Sequence, residues 1–237
     1  MTSLDDLLTV QELDTKVDQL RHRREHLPER AELSATTASL REAGSAHEEC
    51  ASRLRKVRAA QKEAEDHASL LDDKAAEVDA SMYDGSVTSP KELESLQAEH
   101  RMLKEHQAEH EDRALELMEE AEPIDAELAT RAGAVAELQA EIERLQGVIT
   151  IAEAELDVQI DELLSEREQA GAGLPEEVRS TYETLRRQLG GIGAARLVGA
   201  RCEGCHLEIP SAQLEGVRRA PADALVTCPE CLRILVR

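Results

Sequence analysis

Four cysteines near the C-terminal end of the chain have the spacing of metal ligands. Cys202 and Cys205 form one C-x-x-C pair, and Cys228 and Cys231 form a second, with 22 residues between the pairs. A C-x-x-C loop lets two thiolate sulfurs converge on one ion, and two such loops complete the tetrahedron of a structural zinc site. The spacing therefore predicts one Zn²⁺ ion per chain. The ion is expected to be structural, because four protein thiolates leave no coordination position for a water molecule.

Part of this motif also matches other cofactors. Cys202, Cys205 and His206 spell C-x-x-C-H, the attachment sequence of a c-type haem. Haem attachment requires export and an apolar pocket, whereas the chain starts without a signal-peptide pattern and contains no Phe or Trp. A redox dithiol favours a βαβ context, which the glycine-rich flank does not offer. An iron–sulfur cluster is also held by four cysteine thiolates and stays open as the alternative to zinc.

The cysteines belong to a C-terminal segment, residues 174–237, that has little apolar bulk. Helical patterning stops at Gly171 to Pro175, an amphipathic helix is predicted from about Glu176 to Leu189, and short β-like runs surround the cysteines after Gly190 to Gly193. A segment this small and free of Phe and Trp needs a further source of stability. Zinc supplies roughly 10–16 kcal/mol in small modules at neutral pH, which again favours a structural ion.

The overall composition is that of long helices. The chain has 237 residues, of which 33% are charged, and its net charge is −22. Residues 175–237 are nearly balanced, with nine Arg and eight Asp or Glu, so the acidity lies in the N-terminal part. This charge argues against general binding of nucleic acid or an anionic membrane by the whole molecule.

Two heptad seams predict a helical hairpin. One runs from Leu40 to Met82, and a second runs from Leu93 to Ile149 and continues to Leu163. If the arms fold antiparallel, seam residues pair with index sums of 174 or 175 over the whole length. This register pairs Cys50, as a small apolar seam residue, with Ile124, and it pairs Val57 with Leu117. The predicted fold class is mainly α: a long antiparallel coiled-coil hairpin with a small C-terminal β zinc ribbon.

The tip of this hairpin is predicted at about residues 83–90. In "YDGSVTSPKE", Gly85 suits the left-handed position after a helix, Ser89 suits an N-cap, and Pro90 suits the first helical turn. We assign residues 1–173 to the coiled-coil hairpin and 174–237 to the connecting helix and C4 ribbon.

Two prolines bear on the course of the arms. Pro28 falls opposite Gly147 in the predicted register, which predicts a bend of both arms near residues 28 and 147. Pro123 lies inside the second arm without shifting the heptad phase, so we expect the helix to continue through it with a kink.

These motifs, in this order, resemble the bacterial C4-type zinc-ribbon family of coiled-coil hairpin proteins. "YDGSVTSPKELESL" is similar to the family's hairpin tip, "LPEEVRSTYETLRR" to its connecting helix and "CEGCHLEIP" with "LVTCPECLRILVR" to its ribbon. The second knuckle departs from the family pattern, since Leu232 stands in place of a glycine and Val236 in place of a tyrosine. The resemblance implies a non-enzymatic adaptor or chaperone-like protein, and some relatives are linked to flagellar or secretion-system assembly, to an alternative sigma factor or to RNA.

The leading functional hypothesis is a cytoplasmic scaffold that binds protein partners through the hairpin and the ribbon. Val87 and Lys91, at the tip, are the candidate partner-binding residues. No nucleophile, phosphate-loop or open metal motif occurs, so we predict neither an enzyme nor a small-molecule substrate. No stretch of about 18 apolar residues is present, and we predict no membrane association.

The alternative hypothesis is a regulator that binds RNA or DNA through an arginine-rich ribbon. Aromatic stacking residues are absent from the ribbon, which weakens the case for single-strand recognition. A simply solvated surface is the competing interpretation. The candidate residues are Arg186, Arg187, Arg196, Arg201, Arg218 and Arg219, with Arg233 and Arg237 beside them.

Overall fold

The computed structural model describes residues 3–221 and 224–237, and most of them are helical. No helix within these two ranges combines the length and the apolar character needed to cross a membrane. The elements, in chain order, are α1 (Ser3–Glu25), α2 (Pro28–Tyr83), α3 (Pro90–Gly171), α4 (Glu176–Gln188), β1 (Ala194–Val198), β2 (Arg201–Cys202), α5 (Ser211–Arg219) and β3 (Ile234–Val236).

Pro28 marks a helix boundary, whereas Pro123 and Gly147 do not. α1 ends at Glu25 and α2 begins at Pro28, whose missing N–H and fixed φ suit the first turn of a helix. α3 continues through both Pro123 and Gly147. Proline costs about 3 kcal/mol inside a helix. The burial of Ile124 beside it shows that tertiary packing holds this part of the helix in place.

The chain forms two compact units, and Leu33–Arg144 is one of them. Within it, α2 and α3 run antiparallel around a core of apolar seam residues, and Cys50 Sγ lies 3.7 Å from the carbonyl oxygen of Ile124. The predicted hairpin and its register are thereby confirmed. The members of the core are Cys50, Leu54, Val57, Leu117, Ala121 and Ile124.

The turn between α2 and α3 uses the residues that its chemistry requires. Gly85 has a φ of +86°, the left-handed conformation expected where the first helix ends. The Asp84 carboxylate accepts a 2.8 Å hydrogen bond from the backbone N–H of Ser86. Tyr83 is largely exposed at the end of α2, and Val87 is half-buried.

The other compact unit combines the residues up to Glu32 with Leu145–Arg237. Its first core brings α1 together with α4 and the last strand, so the N-terminal helix packs directly on the ribbon. The domain boundary predicted at residue 173 stays a prediction, but residues on both sides of it share this core. The core consists of Leu4, Leu7, Val10, Leu174, Val178, Tyr182, Ala194, Ile234 and Val236.

A three-stranded sheet in the order β2-β1-β3 joins this core to the cysteines. β1 pairs antiparallel with β2, with Leu197 opposite Cys202, and parallel with β3, with Ala195 opposite Leu235. Because side chains alternate along a strand, Ile234 and Val236 face α1 whereas Leu235 packs in a second core beside the cysteines.

Asp14 of α1 is a buried charge at the centre of a polar network. Its carboxylate is 3% exposed and accepts hydrogen bonds from Arg167 Nε at 2.6 Å and from the Tyr182 hydroxyl at 2.7 Å. Arg186 Nε lies 3.5 Å from the same carboxylate and donates through its NH2 group to Asp18 at 2.6 Å. A buried charge needs such partners, and this one ties α1 to α3 and α4.

The pKa values in this network follow from the same contacts. Burial and the bond to Asp14 raise the pKa of Tyr182 above its usual range, so the phenol stays protonated as a donor. Burial alone would lower the pKa of Arg167, but its hydrogen bond to the Asp14 carboxylate and the charge of that group raise it.

Replacing Asp14 with alanine tests how much this network contributes. The substitution leaves the buried Tyr182 hydroxyl without its acceptor and two half-buried guanidinium groups without their shared carboxylate, which costs about 3 kcal/mol or more. We expect urea denaturation, followed by the fluorescence of Tyr182 in a Tyr83→Phe background, to show this loss. The exposed Asp161→Ala change on α3 is the control and should alter stability by less than about 0.5 kcal/mol. Equal stability of the two variants would contradict the proposed role of the network.

Candidate metal centre

The four predicted cysteines meet at one point of the ribbon. Their sulfurs all lie within 4.8 Å of one another. Cys202 Sγ is 3.9 Å from Cys231 Sγ, and Cys205 Sγ is 3.9 Å from Cys228 Sγ. Cys202 and Cys228 are buried, whereas Cys205 and Cys231 are half-buried. One cysteine of each pair is therefore turned to the core and the other toward the surface.

Each C-x-x-C pair forms the same type of tight loop. The backbone N–H of His206 donates to the Cys202 carbonyl at 2.8 Å, and that of Leu232 donates to the Cys228 carbonyl at 2.9 Å. The N–H groups two and three residues after Cys202 and Cys228 hydrogen-bond to these two sulfurs. Such donors stabilise thiolate charge, as expected around a metal ion.

The buried cysteines differ electrostatically from the half-buried Cys231. Burial raises the pKa of Cys228 to about 12 and also raises that of Cys202. At Cys231 burial opposes ionisation as well, but hydrogen bonds from the backbone and side chain of Arg233 lower its pKa to about 7. Without a metal, the two buried thiols therefore stay protonated at neutral pH. A bound cation must displace those protons, which makes metal affinity pH-dependent.

The sulfur geometry fits one four-coordinate ion. Zinc–thiolate bonds of about 2.3 Å place the sulfurs of a tetrahedron about 3.8 Å apart, close to the 3.9 Å found for both cross-pair distances. These distances far exceed a disulfide bond of about 2.0 Å. An iron–sulfur cluster distributes its cysteines over several irons and spreads their sulfurs further apart. The cluster of four cysteines thus favours zinc, which supplies folding free energy when bound.

The second knuckle accommodates the two residues that depart from the family pattern. Leu232 has a φ of +64°, so the leucine adopts the left-handed conformation for which glycine is suited, and its side chain is 58% exposed. His206 occupies the equivalent position of the first knuckle with a φ of +60°. Val236 is fully buried in the core that contains Leu4 and Leu7, so a small side chain at this position packs beside α1.

Sequence reasoning missed the two polar residues of α1 that support the ribbon. The Gln11 side chain accepts a 2.7 Å hydrogen bond from the N–H of Gly193 and donates to the carbonyl of Gly191 at 3.0 Å. Gln11 therefore fixes the glycine loop immediately before β1, as Asp14 fixes α4. Gln11 and Asp14 continue the buried helical stripe that begins with Leu4 and Leu7. This helical spacing is the sequence signal that could have predicted that both polar residues face the core.

Most of the candidate nucleic-acid-binding arginines have structural partners. Arg186 is only 17% exposed at its side chain and pairs with Asp14 and Asp18. The others, except Arg196, form ion pairs with carboxylates or donate hydrogen bonds to backbone carbonyls. The contacts are Arg187 to Glu183 O, Arg201 to Glu203, Arg218 to Gly199 O, Arg219 to Glu215, Arg233 to Ile192 O and Arg237 to Val217 O.

Arg196 is the exception among these candidates. Its side chain is exposed on β1 and makes no ion pair or side-chain hydrogen bond within residues 3–221 and 224–237. Guanidinium groups that bond to carbonyls keep their positive charge. Their donors are nevertheless partly occupied, so a nucleic-acid role for these arginines stays a prediction.

An antiparallel helical hairpin followed by a four-cysteine ribbon defines a class of zinc-ribbon coiled-coil proteins. Residues 10–190 match the CT398-like coiled coil hairpin domain, and residues 201–235 match the C4-type zinc ribbon domain. The chain belongs to the family of CT398-like coiled coil hairpin proteins.

Relatives cover nearly the whole chain. The uncharacterized proteins Rv2229c and MT2288, from two strains of Mycobacterium tuberculosis, are each 32% identical over 237 residues, which span 98% of this chain and 94% of theirs. A solved structure from Mycobacterium smegmatis is similar with a TM-score of 0.87 at 27% identity over 100% of both chains. CT398 from Chlamydia trachomatis has a TM-score of 0.69 at 21% identity over 99% of this chain and 97% of its own, a likeness of fold.

The metal content of the purified protein tests the site. We expect about one zinc per chain by elemental analysis, because the sulfurs fit one tetrahedral ion. Cys228→Ser should abolish zinc binding and unfold the ribbon while most of the helical circular dichroism remains. Cys50→Ser, outside the cluster, should keep the zinc. Iron with no zinc in protein prepared without oxygen would refute the assignment.

The left-handed leucine yields a prediction of increased stability. Leu232→Gly removes a Cβ conflict of about 1–2 kcal/mol but raises the conformational entropy of the unfolded chain, so we expect a net gain in stability of about 0.5–1 kcal/mol. The matched control is Leu207→Gly, at a leucine that is 52% exposed but not left-handed, which should lose about 0.5–1 kcal/mol. Urea denaturation of the zinc-loaded proteins measures both. A loss of stability in Leu232→Gly would show that the leucine side chain itself is needed.

Proposed function

We propose that this chain is a non-enzymatic, zinc-binding adaptor or chaperone-like protein of the cytoplasm. The observation that carries the proposal is the four-thiol cluster. Its ligands come entirely from the protein, so a bound ion has no open position for substrate or water and acts by stabilising the ribbon. A cytoplasmic location suits cysteines that must stay reduced.

Protein partners are the proposed targets. The tip of the hairpin presents exposed side chains, including Tyr83 and Lys91, on a turn formed by Gly85 and Asp84. Aromatic residues are enriched at protein–protein interfaces, and Tyr83 is largely exposed here. Val87 is half-buried and offers an apolar contact in the same turn. Membership of the flagellar or secretion-associated adaptors is a narrower form of this proposal and rests on the motif resemblance alone.

Nucleic acid is the second candidate target. Arg196 supports it because its exposed guanidinium has no partner among the described residues. The net charge of −22 opposes it, since phosphate backbones are repelled by an acidic molecule. Nuclease treatment of the cell extract distinguishes this target from a protein partner.

Capture of partners from an extract of the protein's own cells tests the proposed function. We expect Val87→Asp and Lys91→Glu to lose captured proteins while their thermal melts stay unchanged, because Val87 lies on the turn and Lys91 is exposed in the first turn of α3. The matched controls are Val158→Asp and Lys74→Glu, which make the same chemical changes at exposed helix positions elsewhere. Partners lost only after nuclease treatment would assign the function to nucleic acid. Retention of every partner by both tip variants would exclude the tip as the binding surface.

A further inference from the structure

The stem of the hairpin carries a groove between α2 and α3. The helices meet here through small seam residues, Ala68 and Ala114, which leave space above them instead of filling it. The groove has a volume of about 450 Å³, and Ala68, Ala114, Leu115, Met118, Glu65 and Glu111 contribute to its lining. An adjoining depression also uses Met118, so the groove extends along the stem toward Glu122.

Two large apolar side chains in this groove are exposed. Leu115 is 57% exposed and Met118 is 45% exposed, although both belong to a helix that buries Ala114 and Leu117 in the seam. Residues 111, 115, 118 and 122 are spaced by four, three and four positions, so they form one stripe on α3. Along this stripe, an acidic residue lies at each end and two apolar residues lie between them. Its two glutamates are separated by roughly 16 Å at 1.5 Å per residue.

The carboxylates beside this apolar stripe have no cationic partners. Glu65, Glu111 and Glu122 form no ion pair within the described residues; Glu65 and Glu111 accept hydrogen bonds only from the amides of Gln61 and Gln107. Other acids in the region differ in this respect. Asp72 pairs with Lys104 at 2.5 Å, and Asp125 pairs with Arg58 at 2.5 Å. The groove thus combines uncovered apolar area with uncompensated negative charge.

We infer that this groove binds a basic amphipathic helix of a partner protein. Apolar residues of that helix at i and i+3 or i+4 would cover Leu115 and Met118, and Lys or Arg near its two ends would pair with Glu111 and Glu122. A second copy of this chain is the less suitable occupant, because it would bring its own acidic surface against the groove. The inference rests on the proposed adaptor function but uses a surface different from the hairpin tip.

A designed peptide tests the inference with purified full-length protein. The probe is a fluorescein-labelled 18-residue helix of Ala, Leu and Lys, with a leucine stripe and a lysine pair at each end. Fluorescence anisotropy at about 0.15 M salt should show saturable binding. The double change Leu115→Ser and Met118→Ser should weaken binding at least tenfold. The equally exposed pair Leu70→Ser and Met102→Ser, outside the groove lining, should stay within twofold of the parent.

A charge exchange supplies the second arm of the test. Glu111→Lys with Glu122→Lys should abolish binding of the lysine peptide and create binding of the same peptide carrying glutamates. Glu99→Lys with Glu109→Lys makes the same change at exposed positions of α3 outside the groove and should do neither. Equal effects of groove and control variants would overturn the inference, because binding would then reflect general acidity alone.

Two further outcomes separate the surfaces. Val87→Asp should bind the peptide as the parent does, since the tip lies outside the groove. If the peptide ignores the groove variants while tip variants lose their partners, the adaptor function holds and the groove inference fails. Concentration-dependent self-association that is relieved by Leu115→Ser would identify a second copy as the occupant and would also overturn the inference.

Discussion

The buried carboxylate of Asp14 is the contact on which the ribbon-bearing unit depends. It accepts hydrogen bonds from Arg167 of α3 and Tyr182 of α4 and lies beside Arg186, so three helices meet at one charge. Removing a carboxylate from water is costly, and the two hydrogen-bond donors and the nearby charge of Arg186 offset that cost only if they keep their places. Gln11, one helical turn away from Asp14, accepts a hydrogen bond from the backbone of Gly193 and so holds the loop before β1 against α1. The N-terminal helix thereby determines where the ribbon begins.

The metal site in turn depends on that placement. β3 inserts Ile234 and Val236 into the core of α1 and α4 and directs Leu235 toward the cysteines. This three-residue strand therefore contributes to two cores. Through it, the cysteine cluster packs against helices that are distant from it in the sequence. Gly204 shows how closely the knuckle packs: a Cβ there would lie 2.6 Å from Arg233 Cδ and 2.8 Å from Ala195 Cβ. The zinc ligands are local in sequence, but their support is not.

This difference explains what the sequence could predict. The heptad seams fixed the Cys50–Ile124 register because period and turn chemistry are local signals. The C-x-x-C spacing identified the cluster for the same reason. The docking of α1 onto the ribbon was not predictable, since a pairing such as Asp14 with Tyr182 spans 168 residues and no local pattern encodes it. The partners of the arginines were not predictable for a related reason: the sequence shows where the arginines lie but does not show that Arg186 is paired with Asp18.

The distribution of paired and unpaired charge then separates structural surfaces from candidate binding surfaces. In the ribbon, most arginines other than Arg196 contact carboxylates or carbonyl oxygens, as Arg218 does, so most of its positive charge serves the fold. In this part of the hairpin, by contrast, Glu111 and Glu122 flank the exposed Leu115 and Met118 and form no ion pair within the described residues, while nearby Arg58 pairs with Asp125. Unpaired carboxylates beside exposed apolar side chains do not stabilise the free protein. They contribute favourable free energy of binding when a partner supplies both the opposite charge and the apolar contact. The acidic stem, more than the arginine-bearing ribbon, therefore carries the physical signs of a partner-binding surface.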